Sequence, residues 1–147
     1  MAQSADLRPV EHTDKDRIFA WRNSPDVRPY MYTDHLISPE EHARWFDGIW
    51  GDETRRYWIV ELNGKPVGLA NLYDVDRRNQ RSSWAYYLAD PAVRGMGLGS
   101  YVEYWVLEYV FEGLNLKPIR QRKLFEFGGQ GFSAKRFNLT RHHQIHI

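Results

Sequence analysis

Three apolar runs in the middle of the chain have the length and composition of β-strands. Asn63-Gly64 separates the first two runs, and this pair is a strong hairpin signal because both turn positions favour positive φ. A polar connector leads into the third run. The runs are Tyr57–Leu62, Pro66–Tyr73 and Ser82–Ala89. The pattern therefore predicts an antiparallel meander of three strands.

Helix signals flank these strands on both sides. Ser38-Pro-Glu-Glu41 places Ser at the N-cap, Pro at the first helical position and Glu41 three residues later. Thr13-Asp-Lys-Asp16 predicts a capping box for an earlier helix that ends near Asn23, after a short strand at Leu7–Val10. Beyond the strands, six apolar residues repeat at helical spacing: Leu98, Val102, Trp105, Val106, Tyr109 and Val110. The sequence predicts an α/β domain.

Composition limits the class of protein. The chain has 147 residues, enough for one domain, and its 15% aromatic content excludes a disordered chain. No run reaches the roughly 18 apolar residues of a membrane span, so we expect no membrane association. Cys is absent, which excludes a disulfide scaffold, a thiolate metal site and a Cys nucleophile. We expect a cytoplasmic protein.

Charge is distributed unevenly along the chain. Residues 1–116 carry 13 basic and 18 acidic side chains, whereas residues 117–147 carry seven basic residues and one acidic residue. A basic tail is compatible with an anionic partner, but it contains no nucleic-acid-binding motif, so we expect no nucleic-acid partner. Three histidines lie in this tail, but neither a predicted helix nor an acidic partner supports a metal site there, so we expect none: His142, His143 and His146.

A glycine-rich loop carries the strongest functional signal. Arg94-Gly-Met-Gly-Leu-Gly99 lies between a predicted strand and a predicted helix. Glycines let the backbone approach a ligand, and the first free N–H groups of the helix point at it, so phosphate is the expected ligand. The loop is neither a Walker loop nor the dinucleotide fingerprint, because its glycine spacing and the residues that follow differ from both. The alternative is a turn that only packs the helix on the sheet.

This loop resembles the Arg/Gln-x-x-Gly-x-Gly/Ala signature of the GCN5-related N-acetyltransferases (GNAT). Upstream, Trp21–Asp26, Met31–His35 and Pro39–His42 are similar to the branch that acetylates the 4-amino group of a UDP-linked 4-amino-4,6-dideoxy sugar on the way to pseudaminic acid. The resemblance covers residues 15–116. It implies a central mixed, mostly antiparallel, splayed sheet flanked by helices.

The resemblance implies acetyl-CoA as co-substrate, with no metal. The pantetheine arm of acetyl-CoA would pair with the strand Trp84–Ala89. The backbone of Tyr87 and Leu88 would hold the thioester carbonyl. The main chain of the glycine loop would bind the phosphates. The implied cofactor-binding residues are Leu88, Ala89, Arg94, Gly95, Met96, Gly97, Leu98, Gly99 and Ser100.

The resemblance also implies an acceptor site. Arg22 and His42 resemble residues that reach the phosphates of a nucleotide. Arg81 lies just before the strand Trp84–Ala89, where a basic residue would help to bind the same nucleotide. Each has a structural alternative: Arg22 paired with a carboxylate, His42 packed in the core, and Arg81 solvated in a loop. Acetyl transfer requires that an acceptor ammonium lose a proton, for which Glu61, Asp74 and His42 are candidates.

The C-terminal part departs from the family pattern. We predict a core at residues 1–116 and a basic segment at 117–147, in which Arg122–Phe127 forms a fifth strand and Ser133–Ile147 shows no helix stripe or hairpin. The family Tyr that protonates the thiolate has no counterpart, since the last Tyr is Tyr109. Missing strands would leave an open sheet edge, so a homodimer is a further candidate.

The predicted function is acetyl transfer from acetyl-CoA to the primary amine of a nucleotide-linked amino sugar. One alternative is a protein N-terminal acetyltransferase, which would use an acidic peptide groove instead of Arg22 and His42. The other is a CoA-binding remnant that has lost turnover.

Overall fold

The computed structural model describes residues 4–28, 35–78, 81–110 and 140–146. Its five strands are β1 (Ala5–Pro9), β2 (Arg56–Leu62), β3 (Lys65–Asp76), β4 (Arg81–Leu88) and β5 (Thr140–His146). Its three α-helices are α1 (Lys15–Arg22), α2 (Pro39–Gly48) and α3 (Leu98–Glu108). The predicted meander and the helices on either side of it are therefore confirmed.

The strands form one sheet in the order β1-β2-β3-β4-β5, and each ladder between described strands is antiparallel. At the β2–β3 turn, Asn63 has φ 53° and Gly64 has φ 79°, as the Asn-Gly signal predicts. The mixed sheet expected from the resemblance would need a parallel pair, and none lies in the described part.

The two faces of the sheet carry separate cores. On one face, α3 packs Val102 and Val106 against a cluster that includes Trp84, Tyr86 and Leu88 of β4. The opposite face packs against α1 and α2, through residues that include Ile18, Phe46, Ile59, Leu69 and Tyr87. Because successive strand residues point to opposite faces, β4 contributes to both cores.

Helix α2 begins as predicted, with the Ser38 hydroxyl accepting from the Glu41 amide at 3.1 Å. The capping box predicted from Thr13 is wrong. A 3₁₀ turn at His12–Asp14 precedes α1, and the Asp14 carboxylate accepts from the Glu11 amide at 2.8 Å. The box starts two residues earlier because Asp14 is also the carboxylate that binds Arg8.

The Asp14 carboxylate joins β1 to the start of α1. It is fully buried and accepts two hydrogen bonds from Arg8, at 2.8 and 2.9 Å, and one from Arg17. Burial alone would raise the pKa of Asp14, but the hydrogen bonds from Arg8 and the Glu11 amide outweigh burial and hold that pKa below its usual value. The ion pairs fix where α1 begins relative to the sheet.

The strand β5 was not expected from the sequence. It pairs antiparallel with β4 over seven residues, from Arg81 opposite His146 to Tyr87 opposite Thr140. The predicted fifth strand at 122–127 lies outside the described residues. Ile145 is the only aliphatic residue in β5, so hydrophobic alternation could not reveal the strand, whereas backbone pairing does not depend on it. The β4 edge is therefore paired with β5 over these residues.

Candidate functional site

The glycine loop is open to a ligand at two of its glycines. Gly95 and Gly97 have φ 80° and 88°, and a Cβ added to either would meet no atom within 4 Å. Gly97 is the N-cap of α3 and has no side chain to satisfy the first free amides of the helix. A loop with this shape and this partial positive charge fits the phosphate groups of acetyl-CoA.

The third glycine of the motif has a different role. A Cβ on Gly99 would lie 2.6 Å from the Tyr86 hydroxyl, so only glycine lets α3 approach β4 at this point. Gly99 and Leu98 are buried against the sheet, whereas Met96 is exposed. Gly99 therefore serves helix packing, the alternative interpretation of the loop, while ligand approach at Gly95 and Gly97 stays a prediction.

The side chain of Arg94 turns back toward the sheet. Its guanidinium donates to the Leu88 carbonyl at 2.9 Å and to the Asp26 carbonyl at 3.4 Å. The Ala89 amide is likewise used within the protein, where it donates to Val67 at 2.7 Å. The loop can therefore offer a ligand its main chain, while Arg94 braces it against the end of β4.

The proposed thioester contact lies at the end of the β4–β5 ladder. Tyr87 is the last β4 residue that pairs with β5, and Leu88 lies one residue beyond it. On its other side, Leu88 pairs with Gly68, where a Cβ would lie only 2.3 Å from the Tyr87 carbonyl. Gly68 therefore lets β3 and β4 approach closely at this position.

Arg22 ends α1 on the opposite face of the sheet. One of its amino groups lies 3.1 Å from His42 Nδ1, and its guanidinium carbon lies 4.7 Å from the ring centre of Trp45. Within the described ranges it makes no ion pair with a carboxylate, contrary to the structural alternative for this residue. Burial lowers the pKa of Arg22, but the guanidinium stays charged at neutral pH.

His42 is packed in the core, which is the structural alternative that the sequence leaves open for it. It is 2% exposed, and its Nε2 lies 2.7 Å from the Lys15 carbonyl. The rings of Phe19 and Trp45 lie 5.1 and 5.6 Å from its own. Burial lowers its pKa, and the charge of Arg22 adds to this effect. The structure thus joins Arg22 and His42, but His42 is enclosed by protein.

Tyr87 adds a buried hydroxyl to this face, whereas the sequence predicts a role only for its backbone. The residue is 4% exposed, and among the described residues its hydroxyl has no hydrogen-bond partner. Burial raises the pKa of Tyr87, while the charge of Arg22 opposes that shift. The alternation along β4, with Trp84, Tyr86 and Leu88 on the α3 face, is the signal that could have placed Tyr87 here.

The other candidate residues lie away from this group. Glu61 is bound to Arg8 Nε at 3.1 Å on β2, which β3 separates from β4 by about 10 Å. Asp74 is exposed and lines a pocket of about 520 Å³ with Asp76 at the β3–β4 end of the sheet. Arg81 begins β4 at the same end, about 20 Å along the strand from Tyr87. Neither the two carboxylates nor Arg81 is brought to Tyr87.

There is no helix long and apolar enough to cross a membrane in the part of the chain that the structure describes. The same part contains no group of three or more side chains suited to hold a metal ion.

The family model of the acetyltransferase (GNAT) domain matches residues 6–124. The chain therefore belongs to the GNAT acetyltransferase family, as its glycine loop indicates.

Two curated relatives are similar to the chain at nearly equal identity. Acetyltransferase PseH of Campylobacter jejuni (strain 81-176) is 27% identical over 103 residues, which cover 70% of this chain and 62% of the relative. Spermidine N(1)-acetyltransferase of Escherichia coli K12 is 26% identical over 115 residues, which cover 78% of this chain and 61% of the relative. The chain thus spans about three fifths of the length of these relatives.

Solved structures confirm the fold. Spermidine N-acetyltransferase from Vibrio cholerae, in complex with CoA and spermine, superposes with a TM-score of 0.70 at 20% identity. The superposition covers 85% of this chain and 79% of the Vibrio cholerae chain. A domain from Methanocaldococcus jannaschii also gives a TM-score of 0.70, at 21% identity, and covers 99% of this chain and all of its own.

Proposed function

We propose that the protein transfers the acetyl group of acetyl-CoA to the primary amine of a nucleotide-linked amino sugar. Family membership supports acetyl-CoA-dependent N-acetyl transfer. Sequence identity does not choose the acceptor, because the PseH and spermidine relatives match almost equally well. The choice depends on the charge of the acceptor face.

Arg22 is the observation that carries the choice. It is a half-buried cation without a carboxylate partner in the described ranges, and it lies on the face of the sheet where the Tyr87 hydroxyl is buried without a partner. A cation removed from water is stabilised by an anion, and guanidinium–phosphate contacts are among the stronger hydrogen bonds. The phosphates of a nucleotide-linked sugar would supply that anion. A polyamine would bring a second positive charge to Arg22.

The co-substrate would bind along the other side of β4. The main chain from Arg94 to Ser100 would hold the phosphates, and the pantetheine arm would pair with the β4 edge that β5 occupies up to Tyr87, so the two would compete for it. Acetyl-CoA supplies an activated thioester when bound. The backbone at Tyr87 and Leu88 would orient its carbonyl and stabilise the charge that develops on the oxygen.

The chemistry needs no covalent enzyme intermediate. The amine nitrogen forms a bond to the acetyl carbon, the carbon–sulfur bond breaks, and the thiolate of CoA takes up a proton. The proton of the acceptor ammonium leaves to a carboxylate or through water. Glu61 remains a candidate for that proton, but its carboxylate would first have to leave Arg8.

CoA release on acceptor addition tests the proposal directly. A thiol reagent reports free CoA without background from the protein, because the chain contains no Cys. We compare a UDP-linked 4-amino-4,6-dideoxy sugar, spermidine and a peptide with a free N-terminus. Preference for the sugar is expected, and preference for spermidine or the peptide would contradict the proposal. Acetyl-CoA binding without turnover of any acceptor would favour a CoA-binding remnant.

Two arginine variants separate the role of Arg22 from a general charge effect. Arg22→Ala should raise the KM for the nucleotide sugar by about 10- to 100-fold, the range for losing a charge-assisted contact. Arg44→Ala removes an exposed cation from α2 and should change KM by less than about twofold. Equal behaviour of the two variants would remove Arg22 from the acceptor site.

A further inference from the structure

We propose that His42 is the positioning residue of the acceptor site, and that it acts through Arg22 by accepting a hydrogen bond from its guanidinium. This inference rests on the proposed function, since it takes Arg22 as the group that meets the acceptor phosphates. It assigns His42 a role different from the one the sequence implies, in which His42 itself reaches the nucleotide.

The hydrogen bonds of the ring define its protonation state. His42 Nε2 lies 2.7 Å from the Lys15 carbonyl, which can only accept, so Nε2 carries the hydrogen. His42 Nδ1 lies 3.1 Å from an amino group of Arg22, which can only donate, so Nδ1 offers its lone pair. Both contacts form together only in the neutral Nε2–H tautomer. Lys15 thereby orients the acceptor atom that holds Arg22.

Burial explains why His42 acts through another residue. The imidazole is enclosed by the rings of Phe19, Trp45 and Phe46 and is 2% exposed. Arg22 is more exposed than the imidazole that it contacts. The face of Trp45 supports the guanidinium from a second direction. A long side chain with several rotamers is thus held in one geometry before a ligand arrives, which lowers the entropy cost of binding.

Protonation of His42 would remove this support. The charged groups around the ring come from α1, where Lys15 and Arg22 disfavour a charged imidazole and Asp16 favours it. Burial lowers the pKa of His42 further, so the neutral form predominates at pH 7. Below that lowered pKa, Nδ1 carries a hydrogen that faces the donor of Arg22, and two positive charges meet. Affinity for an anionic ligand through Arg22 should therefore be constant near neutral pH and fall only once the pH drops below the ordinary imidazole range.

A double-mutant cycle on the full chain tests the role, with UDP as the probe. NMR titration measures UDP affinity for the wild type, His42→Phe, Arg22→Ala and the double variant. We expect His42→Phe to weaken UDP binding about tenfold, and to weaken it less than about twofold when Arg22 is already Ala. An equal loss in both backgrounds would mean that His42 contacts the ligand itself and would overturn the inference. No loss in the wild-type background would overturn it as well.

Two controls separate positioning from general damage to the fold. Acetyl-CoA affinity, measured by calorimetry, should change less than about twofold in His42→Phe. If acetyl-CoA affinity fell as much as UDP affinity, the effect would come from damage to the fold and the inference would be overturned. His42→Asn places an amide oxygen near the position of Nδ1 and should recover part of the UDP affinity that His42→Phe loses. Failure of Asn to improve on Phe would contradict the acceptor role.

Imidazole ¹⁵N spectra provide a readout that is independent of ligand and turnover. The signals of His42 are assigned by their absence in His42→Phe, and they should show the Nε2–H tautomer at pH 7. An Nδ1–H tautomer or an imidazolium at that pH would overturn the inference. If the wild type binds neither UDP nor a nucleotide sugar, the proposed acceptor class fails and the inference with it. If UDP binds but the cycle shows no coupling, only the role of His42 fails.

Discussion

The two faces of β4 are built in different ways. On the α3 face, the candidate phosphate site comes from the main chain of seven consecutive residues, Arg94–Ser100. On the α1–α2 face, the candidate acceptor group combines side chains from four separate elements. They are Arg22 of α1, His42 and Trp45 of α2, Tyr87 of β4 and Tyr57 of β2. A main-chain site is encoded locally, so a short motif reveals it. A side-chain site depends on how distant segments pack.

The largest expected effect is a loss of acetyl-CoA affinity on substitution of Gly97, and a matched control separates this loss from the effect of backbone strain. Gly97→Val places a β-branched residue at φ 88° in the loop, where the Cβ enters the open space that the phosphates would occupy. We expect acetyl-CoA affinity, measured by calorimetry, to fall at least about 100-fold, because both the loop shape and the free volume are lost.

Gly64→Val is the matched control. Gly64 has φ 79° and open space around it, but it lies in the β2–β3 turn. Both variants should lose a similar roughly 1–2 kcal/mol of stability from the strained backbone. Only the loop variant should lose acetyl-CoA. If Gly64→Val weakens acetyl-CoA binding equally, the glycine loop is not the phosphate site.

The next effect concerns how the α1–α2 face is anchored. Asp14→Ala leaves Arg8 and Arg17 without their shared carboxylate and should lower the free energy of unfolding by roughly 2–3 kcal/mol. The loss should be smaller than for a fully buried ion pair, because both arginines reach solvent. Urea denaturation measures this change. Asp16→Ala removes an exposed carboxylate two residues away and should change stability by less than about 0.5 kcal/mol.

The same carboxylate gives a pH dependence of stability. The pKa of Asp14 is lowered in the folded state, so its contribution is complete above its ordinary value of 3.8 and is lost as pH falls through the lower, folded-state value. Below about pH 4, wild-type stability should therefore decline more steeply with falling pH than that of Asp14→Ala. Parallel declines in the two proteins would show that Asp14 is not held ionised by its arginines.

A third prediction concerns the shared edge of β4. Because β5 pairs with residues 81–87, it occupies backbone groups that the pantetheine arm would use. Replacing His142 and His143 together by Pro removes at least one ladder hydrogen bond, because alternate residues of an antiparallel strand face their partner. Acetyl-CoA affinity should then rise about tenfold.

The control for this variant keeps the amides. His142→Val with His143→Val preserves strand propensity and hydrogen bonding, and should leave acetyl-CoA affinity within about twofold. The proline variant also exposes a strand edge, so sedimentation should show more self-association at high concentration. Unchanged acetyl-CoA affinity in the proline variant would mean that β5 and the co-substrate do not compete for β4.

The smallest expected effect concerns Glu61. Its ion pair with Arg8 is partly exposed, and β3 separates it from β4, so Glu61→Gln should change kcat less than about threefold and stability by less than about 1 kcal/mol. A fall in kcat of about 100-fold at neutral pH would instead support Glu61 as the proton acceptor and place acceptor chemistry on β2.

Much of the fold followed from local sequence signals. The Asn63-Gly64 turn, the Ser38 cap and the apolar runs each act over a few residues, so each could be predicted without the tertiary structure. The glycine loop was predicted for the same reason. Only the structure shows that Gly99 is needed for packing against Tyr86, because that contact joins α3 to β4 across thirteen residues of sequence.

The remaining features depend on long-range pairing. Asp14 is the capping carboxylate because Arg8 reaches it from β1, which the spacing around Thr13 does not reveal. The acceptor atom of His42 is defined by Lys15, 27 residues earlier in the chain. The strand β5 has almost no apolar pattern, and only its backbone pairing with β4 identifies it.

The guanidinium of Arg94 has a consequence for the order of binding. It donates hydrogen bonds both to the Leu88 carbonyl at the end of β4 and to the Asp26 carbonyl, four residues after α1. The same guanidinium therefore links the phosphate loop to the chain that follows Arg22. A ligand that orders the loop thereby reduces the freedom of the acceptor side, and the reverse holds by the same free energy. The two substrates should therefore bind as cooperative partners, each increasing the affinity for the other by an equal factor, and Arg94→Met should reduce that factor toward one.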